Sequence, residues 1–400
     1  MIRIDEIYNN TFWPWLRDNR PGARLFFCDP PGRAEPDALF NHGSDTITEN
    51  NFIYFHDQEP IHLDIHQPLF DEVAARNTDL WRPSYDYFYL NQTQTTDTQY
   101  TDEPGHWIWN EELKDYIKPD NIGHIIVSER GEYLEQLCQK YGWQSHYYFY
   151  HGWATQDWYR GYNYAYLIPR YRDRRPTRTF ISPNRIVAGK RDHRVLFLYN
   201  VFKNHLETNH ISAPRHCQYE NVDIAIIAQK YREVYPDIES VFAQAELPRL
   251  FAGESEQIMS SYCLTNFAET EDSLIYVPTE TVYFGRRTHL TEKTFKAIAL
   301  EMPFVLVAPA HSLAYLREYG FKTFSPLIDE SYDTIEDPIG RVEAVTHILR
   351  EIEARSAAAK LELQQQLAPI VEYNYDHFYN GGFARILWQE LNQMLEGLNL

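Results

Sequence analysis

The chain has 400 residues, 44% hydrophobic and 24% charged, enough for two ordinary domains with buried cores. Its net charge of −20 opposes non-specific attraction to nucleic acid or an anionic membrane, while leaving room for a local basic groove. No window approaches the roughly 18 apolar residues of a membrane span, Met1–Asn10 carries charges where a leader would be apolar, and Cys28, Cys138, Cys217 and Cys263 form no CxxC pair, so a reducing, cytoplasmic setting is expected.

In chain order, Arg24–Cys28 and Asn51–Phe55 read as strands, the second entering the polar turn His56-Asp57-Gln58-Glu59-Pro60. A strand at His124–Val127, a helix over 133–141 and a strand at Ser145–Tyr150 continue a βαβ rhythm. Residues 169–178 hold two prolines and a dense run of arginines and read as a linker. A second rhythm follows: strand Thr179–Ser182, helix Asp192–His205, strands Val222–Ile227 and Leu274–Val277, helix Glu292–Leu300, strand Phe304–Val307 and helix Ser312–Tyr319. A long charged helix over 340–366 and an amphipathic one over 383–395 close the chain. The expected class is α/β, with two Rossmann-like domains facing a cleft, residues 1–168 and 179–400, and C-terminal helices on the second. Open sheets of this kind bind ligands at the carboxyl ends of their strands.

Three segments suit chemistry at such a cleft. Glu59, past a strand and fixed by Pro60, is placed to act as a general base on a hydroxyl; a solvated turn is the competing interpretation. The segment Phe180-Ile181-Ser182-Pro183-Asn184-Arg185 leads to Arg194 near a helix start, with Asp192 as a candidate cap. Arginine's planar fork suits a diphosphate, and a charged surface loop is the alternative. The third runs from Ile275 to Glu280, through a basic loop with Arg286, Arg287 and His289, to the helix cap Thr291-Glu292-Lys293. Free N–H groups at a helix start suit phosphate, Lys293 adds a charge, and Glu292 can accept from a ribose hydroxyl. An ordinary capped helix has the same pattern. His56, Trp153 and Trp158 are candidate acceptor contacts, although tryptophans at such positions also serve as core. His62-Leu63-Asp64-Ile65-His66 reads as ordinary polar contacts, and no metal site is expected.

In order and context these segments resemble the α1,3-fucosyltransferase family, glycosyltransferase family 10. The resemblance rests on Gln58-Glu59-Pro60, on Phe180 to Ser182 with Asn184 and Arg194, on Glu280, and on Thr291-Glu292-Lys293 with Pro303. It covers residues 50–310 in patches, with Pro183 inserted and Thr281 in place of an asparagine. Residues 311–333 look similar to proteins of large tailed phages and marine bacteria. The resemblance implies a GT-B fold and an inverting enzyme without metal or other cofactor, using a nucleoside-diphosphate sugar, a GDP-sugar in the resembled family. It implies Glu59 as base, Arg194 and Lys293 on the diphosphate, and Glu292 on the ribose; Arg185, Thr291 and Glu280 are further candidate donor contacts. The expected partners are that donor and a glycan or other hydroxyl acceptor. Two other functions compete: glycosylation of modified bases in phage DNA, using Arg170 to Arg178 and Arg286-Arg287, and a non-catalytic glycan-binding or virion role on the same scaffold.

Overall fold

A computed structural model describes residues 7–19, 24–27, 52–56, 60–61, 122–160, 168–187, 189–217, 222–251 and 263–398. The fold is α/β, and the chain divides into two units, Met1–Asp157 with Leu387–Leu400, and Trp158–Ile386. Among the described residues no helix is long and apolar enough to cross a membrane.

In the first unit a helix, α1 (Trp13–Asn19), precedes a four-stranded parallel sheet. Its strands are β1 (Arg24–Phe27), β2 (Phe52–His56), β3 (Ile122–Val127) and β4 (Gln144–Tyr147), side by side in that order. Tyr54 pairs with Ile125, Phe55 with Ile126 and His56 with Val127. Ile125, Ile126 and Val127 are all fully buried, so the second half of β3 is apolar at every position rather than alternating. Between β3 and β4 lies α2 (Glu132–Tyr141), which buries Leu134 and Leu137. Gly142 ends it at φ 70°, returning its N–H to the Cys138 carbonyl, a left-handed cap that favours glycine. The strand expected to reach Tyr150 stops at Tyr147, and α3 (Tyr150–Trp158) begins there.

The second unit is built on β5 (Arg178–Ser182), the middle strand of a three-stranded parallel sheet. After it comes α4 (His193–Lys203), buried from His193 to Phe202. Asp192 does not cap α4 with its side chain; it pairs with Lys230 at 3.2 Å. One sheet neighbour is the short β6 (His210–Ile211), absent from the sequence expectation. The expected strand Val222–Ile227 is a helix, α5 (Ile224–Ala228), because the Asp223 carboxylate caps it by accepting from the Ala225 N–H at 2.8 Å. A short apolar run carries too few residues for its period to separate helix from strand.

Two short helices, α6 (Ile238–Gln244) and α7 (Phe267–Glu271), lead to β7 (Ser273–Tyr276), the other neighbour of β5. Beyond β7 the chain stays extended beside Phe304–Val307, with parallel bridges Tyr276 to Phe304 and Thr279 to Val307. This pairing stays short of a full strand because Pro278 has no N–H to give it. Then come α8 (Glu292–Ala299) and α9 (Ser312–Glu318). The charged helix expected over 340–366 is two: α10 (Pro338–Glu353), capped by Asp337, and α11 (Ala357–Tyr379), capped by Ser356.

Residues 169–178 are packed into the second unit rather than forming a tether. Tyr171 and Arg174 are buried, Arg170 pairs with Glu301 at 2.7 Å, and Arg172 pairs with Glu372. The last helix, α12 (Gly382–Gly397), returns from Leu387 to the first unit, burying Leu387, Leu391, Met394 and Leu395. There Glu390 accepts from the Phe149 N–H and from Arg130, each at 3.3 Å.

Candidate functional site

The polar residues of the second unit gather where its strands end, around the start of α8. Their scaffold is a knot between two strand ends. Ser182 Oγ donates to the Val277 carbonyl at 2.9 Å, and Asn184 Nδ2 donates to Ser182 Oγ at 3.0 Å. Thr279 Oγ1 then donates to Asn184 Oδ1 at 2.9 Å. The side chains that looked like a recognition loop therefore hold β5 to the chain leaving β7, and they set where Arg185 and Glu280 begin.

Glu280 is fully buried. Its Oε2 accepts from the Thr291 hydroxyl at 2.5 Å and the Thr291 N–H at 3.2 Å. Its Oε1 accepts from the Thr294 hydroxyl at 2.5 Å and the Thr294 N–H at 3.2 Å. Thr291 is the N-cap of α8, accepting from the Lys293 N–H. The positive end of this helix is thus already met by a carboxylate of the same chain. The helix start expected to cradle a phosphate is occupied, and Glu280 and Thr291 act as its caps.

Arg194 is also a strut. It is 3% exposed, and its guanidinium donates to the carbonyls of Ile186 at 2.7 Å, Thr279 at 2.9 Å and Glu280 at 3.2 Å. Burial first, and Arg191 second, pull its pKa down, against the opposing pull of Glu280 and Glu292. Its donors hold the chain on either side of the site, so the fork expected on a diphosphate is committed to backbone.

The far end of α8 has the complementary arrangement. Arg174 Nη2 donates to the Leu300 carbonyl at 2.8 Å and Nη1 to the Glu301 carbonyl at 3.3 Å. One buried anion and one buried cation therefore bracket the helix with the signs its dipole favours.

On the face of α8 that these caps leave over stand Glu292, Lys293 and Lys296. Lys293 Nζ pairs with Glu292 Oε1 at 2.7 Å and reaches the hydroxyls of Thr281 at 3.0 Å and Thr291 at 3.2 Å. Lys296 is 8% exposed, and Arg185, Lys293, Glu292 and Cys263 all act on its charge. Burial is the largest influence and brings its pKa down to about 8. Lys296 escaped the sequence reading. Its signal was spacing: four residues after Glu292 it lies on the same helix face.

His193 is buried with Nε2 3.0 Å from the Glu280 carbonyl and its ring stacked on Tyr283 at a centroid distance of 4.9 Å. Nδ1 has no hydrogen-bond partner, so the neutral ring donates from Nε2. Burial, reinforced by Arg194, holds its pKa well below the ordinary value. The unfolded chain then binds a proton that the folded one refuses, so stability is lost as pH falls below about 6.5. We expect a loss of up to about 1.4 kcal/mol per pH unit there, and His193→Phe should flatten that limb in urea titrations at pH 4.5–6.5. An unchanged limb would assign it to other groups, His377 among them, whose pKa burial also lowers.

The first-unit candidates fare differently. His56 closes β2 at the carboxyl edge of the sheet. Glu59 and residues 62–66 lie outside the described residues. Just beyond Glu59, the Ile61 N–H donates at 2.9 Å to Glu129, a buried carboxylate following β3 that the sequence reading passed over. Trp153, expected in an acceptor wall, is core: it is fully buried and meets Trp388 edge-on at 4.7 Å. Trp158 is half-buried at the end of α3. Among the described residues no group of three or more His, Cys, Asp or Glu side chains is arranged to hold a metal. No family model and no curated protein matches the chain. Its resemblance to the fucosyltransferase family rests on the motif residues alone.

Proposed function

We propose that the second unit binds the nucleoside-diphosphate part of an activated sugar, and that the protein is an inverting glycosyltransferase of GT-B type acting on a saccharide hydroxyl. A GDP-sugar is the favoured donor, with fucose the sugar of the resembled family. The observation that carries this reading is the pairing of Glu292 with Lys293 at 2.7 Å at the start of α8, beyond the carboxyl ends of a parallel sheet. A carboxylate there suits a ribose diol, and the cations suit phosphate oxygens. As the sugar leaves, charge builds on the diphosphate, and fixed cations stabilise that state more than the ground state.

For the DNA-directed alternative, Arg170 and Arg172 are ion-paired and Arg174 donates to backbone carbonyls, which leaves fewer of its arginines to meet phosphates. The test is calorimetry with GDP, UDP, ADP and CDP. Lys293→Ala should weaken the best of them by about 1.5–3 kcal/mol with the fold intact, the size of a lost charge-assisted hydrogen bond. Equal affinity in that variant removes the site. Binding of a glycan without any nucleotide would favour the non-catalytic role.

A further inference from the structure

We propose that the Glu292–Lys293 pair is an exchange latch that admits a nucleoside diphosphate and discriminates against inorganic pyrophosphate. Phosphate takes the Lys293 ammonium from Glu292, and the ribose diol takes the place of the ammonium on the carboxylate. The inference rests on the donor-site reading above and adds a selection step to it.

A lysine ammonium has three N–H donors and no acceptor. Lys293 meets three acceptors within the chain: Glu292 Oε1 at 2.7 Å, Thr281 Oγ1 at 3.0 Å and Thr291 Oγ1 at 3.2 Å. Its side chain is still 27% exposed, so a ligand can reach it. A phosphate oxygen gains a full charge-assisted hydrogen bond from this ammonium by displacing one of the three.

The acceptors are not equally free to leave. Thr291 gives its single O–H to Glu280 at 2.5 Å and accepts from the Lys293 N–H as well, so moving it undoes the start of α8. Thr281 is buried, and its own N–H is directed at the same Glu280 carboxylate at 3.4 Å. Glu292 is the charged acceptor of the set, and its charge repels an arriving phosphate where the hydroxyls do not. Glu292 is therefore the one that exchanges.

Glu292 is 8% exposed, so losing the ammonium costs it a charge-assisted hydrogen bond where water scarcely reaches. A ligand that brings hydroxyl donors beside its phosphates makes good that loss, and a ribose diol does so. Inorganic pyrophosphate brings the phosphate charge without the diol. A site built to bond a hydroxyl rejects the analogue that lacks it for this reason.

The experiment is titration calorimetry on the full chain, wild type and Glu292→Gln. The probes are GDP, UDP, ADP and CDP, the 2′,3′-dideoxy form of whichever binds best, and inorganic pyrophosphate. Glutamine keeps the shape and can still accept from Lys293, without the charge, and thermal melts check that the variant is folded. We expect wild type to bind the best nucleotide roughly 10- to 100-fold more tightly than its dideoxy form or pyrophosphate. Glu292→Gln should bind pyrophosphate roughly 3- to 30-fold more tightly than wild type does, and should lose most of the preference for the diol. That gain separates exchange from a carboxylate that merely braces Lys293, whose loss would weaken both ligands. Pyrophosphate affinity that stays level or falls in Glu292→Gln overturns the exchange and leaves the donor site standing. So does a wild type that binds the dideoxy form as tightly as the nucleotide, since Glu292 then finds its new donor within the chain, Lys296 being one turn along. This wild-type comparison decides the matter even if the variant does not fold. Failure of wild type to bind any probe overturns the donor site itself, and the latch with it.

Discussion

Replacing Glu280 with alanine should cost the second unit about 3–5 kcal/mol of stability, the range for removing one partner of a buried charged network. The carboxylate is fully buried and satisfies two hydroxyls and two backbone N–H groups at the start of α8. Its loss leaves the Thr291 and Thr294 N–H groups without this acceptor and takes away a charge that opposes Arg194's. Glu280→Gln should cost less, about 1–3 kcal/mol, because the amide keeps one acceptor and turns a donor toward groups that need none. Urea unfolding measures both. A loss under 1 kcal/mol in the alanine variant, or a glutamine variant of native stability that no longer binds nucleotide, would return Glu280 to the role of a ligand contact.

The second large effect is on turnover. Glu59→Gln should lower kcat by roughly 10²–10⁴-fold with a confirmed acceptor, the usual contribution of a general base. Glu59 lies between His56, which ends β2, and Ile61, whose N–H is fixed on buried Glu129. Nucleotide affinity should stay near wild type, because the proposed donor contacts belong to the other unit. Near-normal turnover would transfer the role to His56 or Asp57 and remove the main support for the family resemblance in the first unit.

Much of the fold was legible because it follows local rules. Runs such as Ile125–Val127 and Phe180–Ile181 are apolar at every position and belong to buried parallel strands. Thr291 announces the start of α8 in the way a cap residue should. The errors came where a cap or a distant partner decided the outcome. Asp223 turned an apolar run into a helix, and Ser356 divided a charged helix in two. The candidate site was legible in its members more than in their roles. Glu280 and Arg194 stood out as charged residues near strand ends and helix starts, and a ligand seemed the natural partner for them. Their partners are instead hydroxyls and carbonyls eight or more residues away in the chain, which local spacing does not reveal.

The capping of α8 by Glu280 also bears on how such a protein can change over time. A phosphate site made of backbone N–H groups is nearly immune to point mutation, because every residue type except proline brings the same amide. Here Glu280 uses that resource inside the fold, so in the donor site proposed above the affinity for an anion would rest on side chains such as Arg185 and Lys293. Each is a single codon change from being lost. A lineage carrying this scaffold can therefore gain, retune or abandon its anionic ligand while the architecture around it stays as it is.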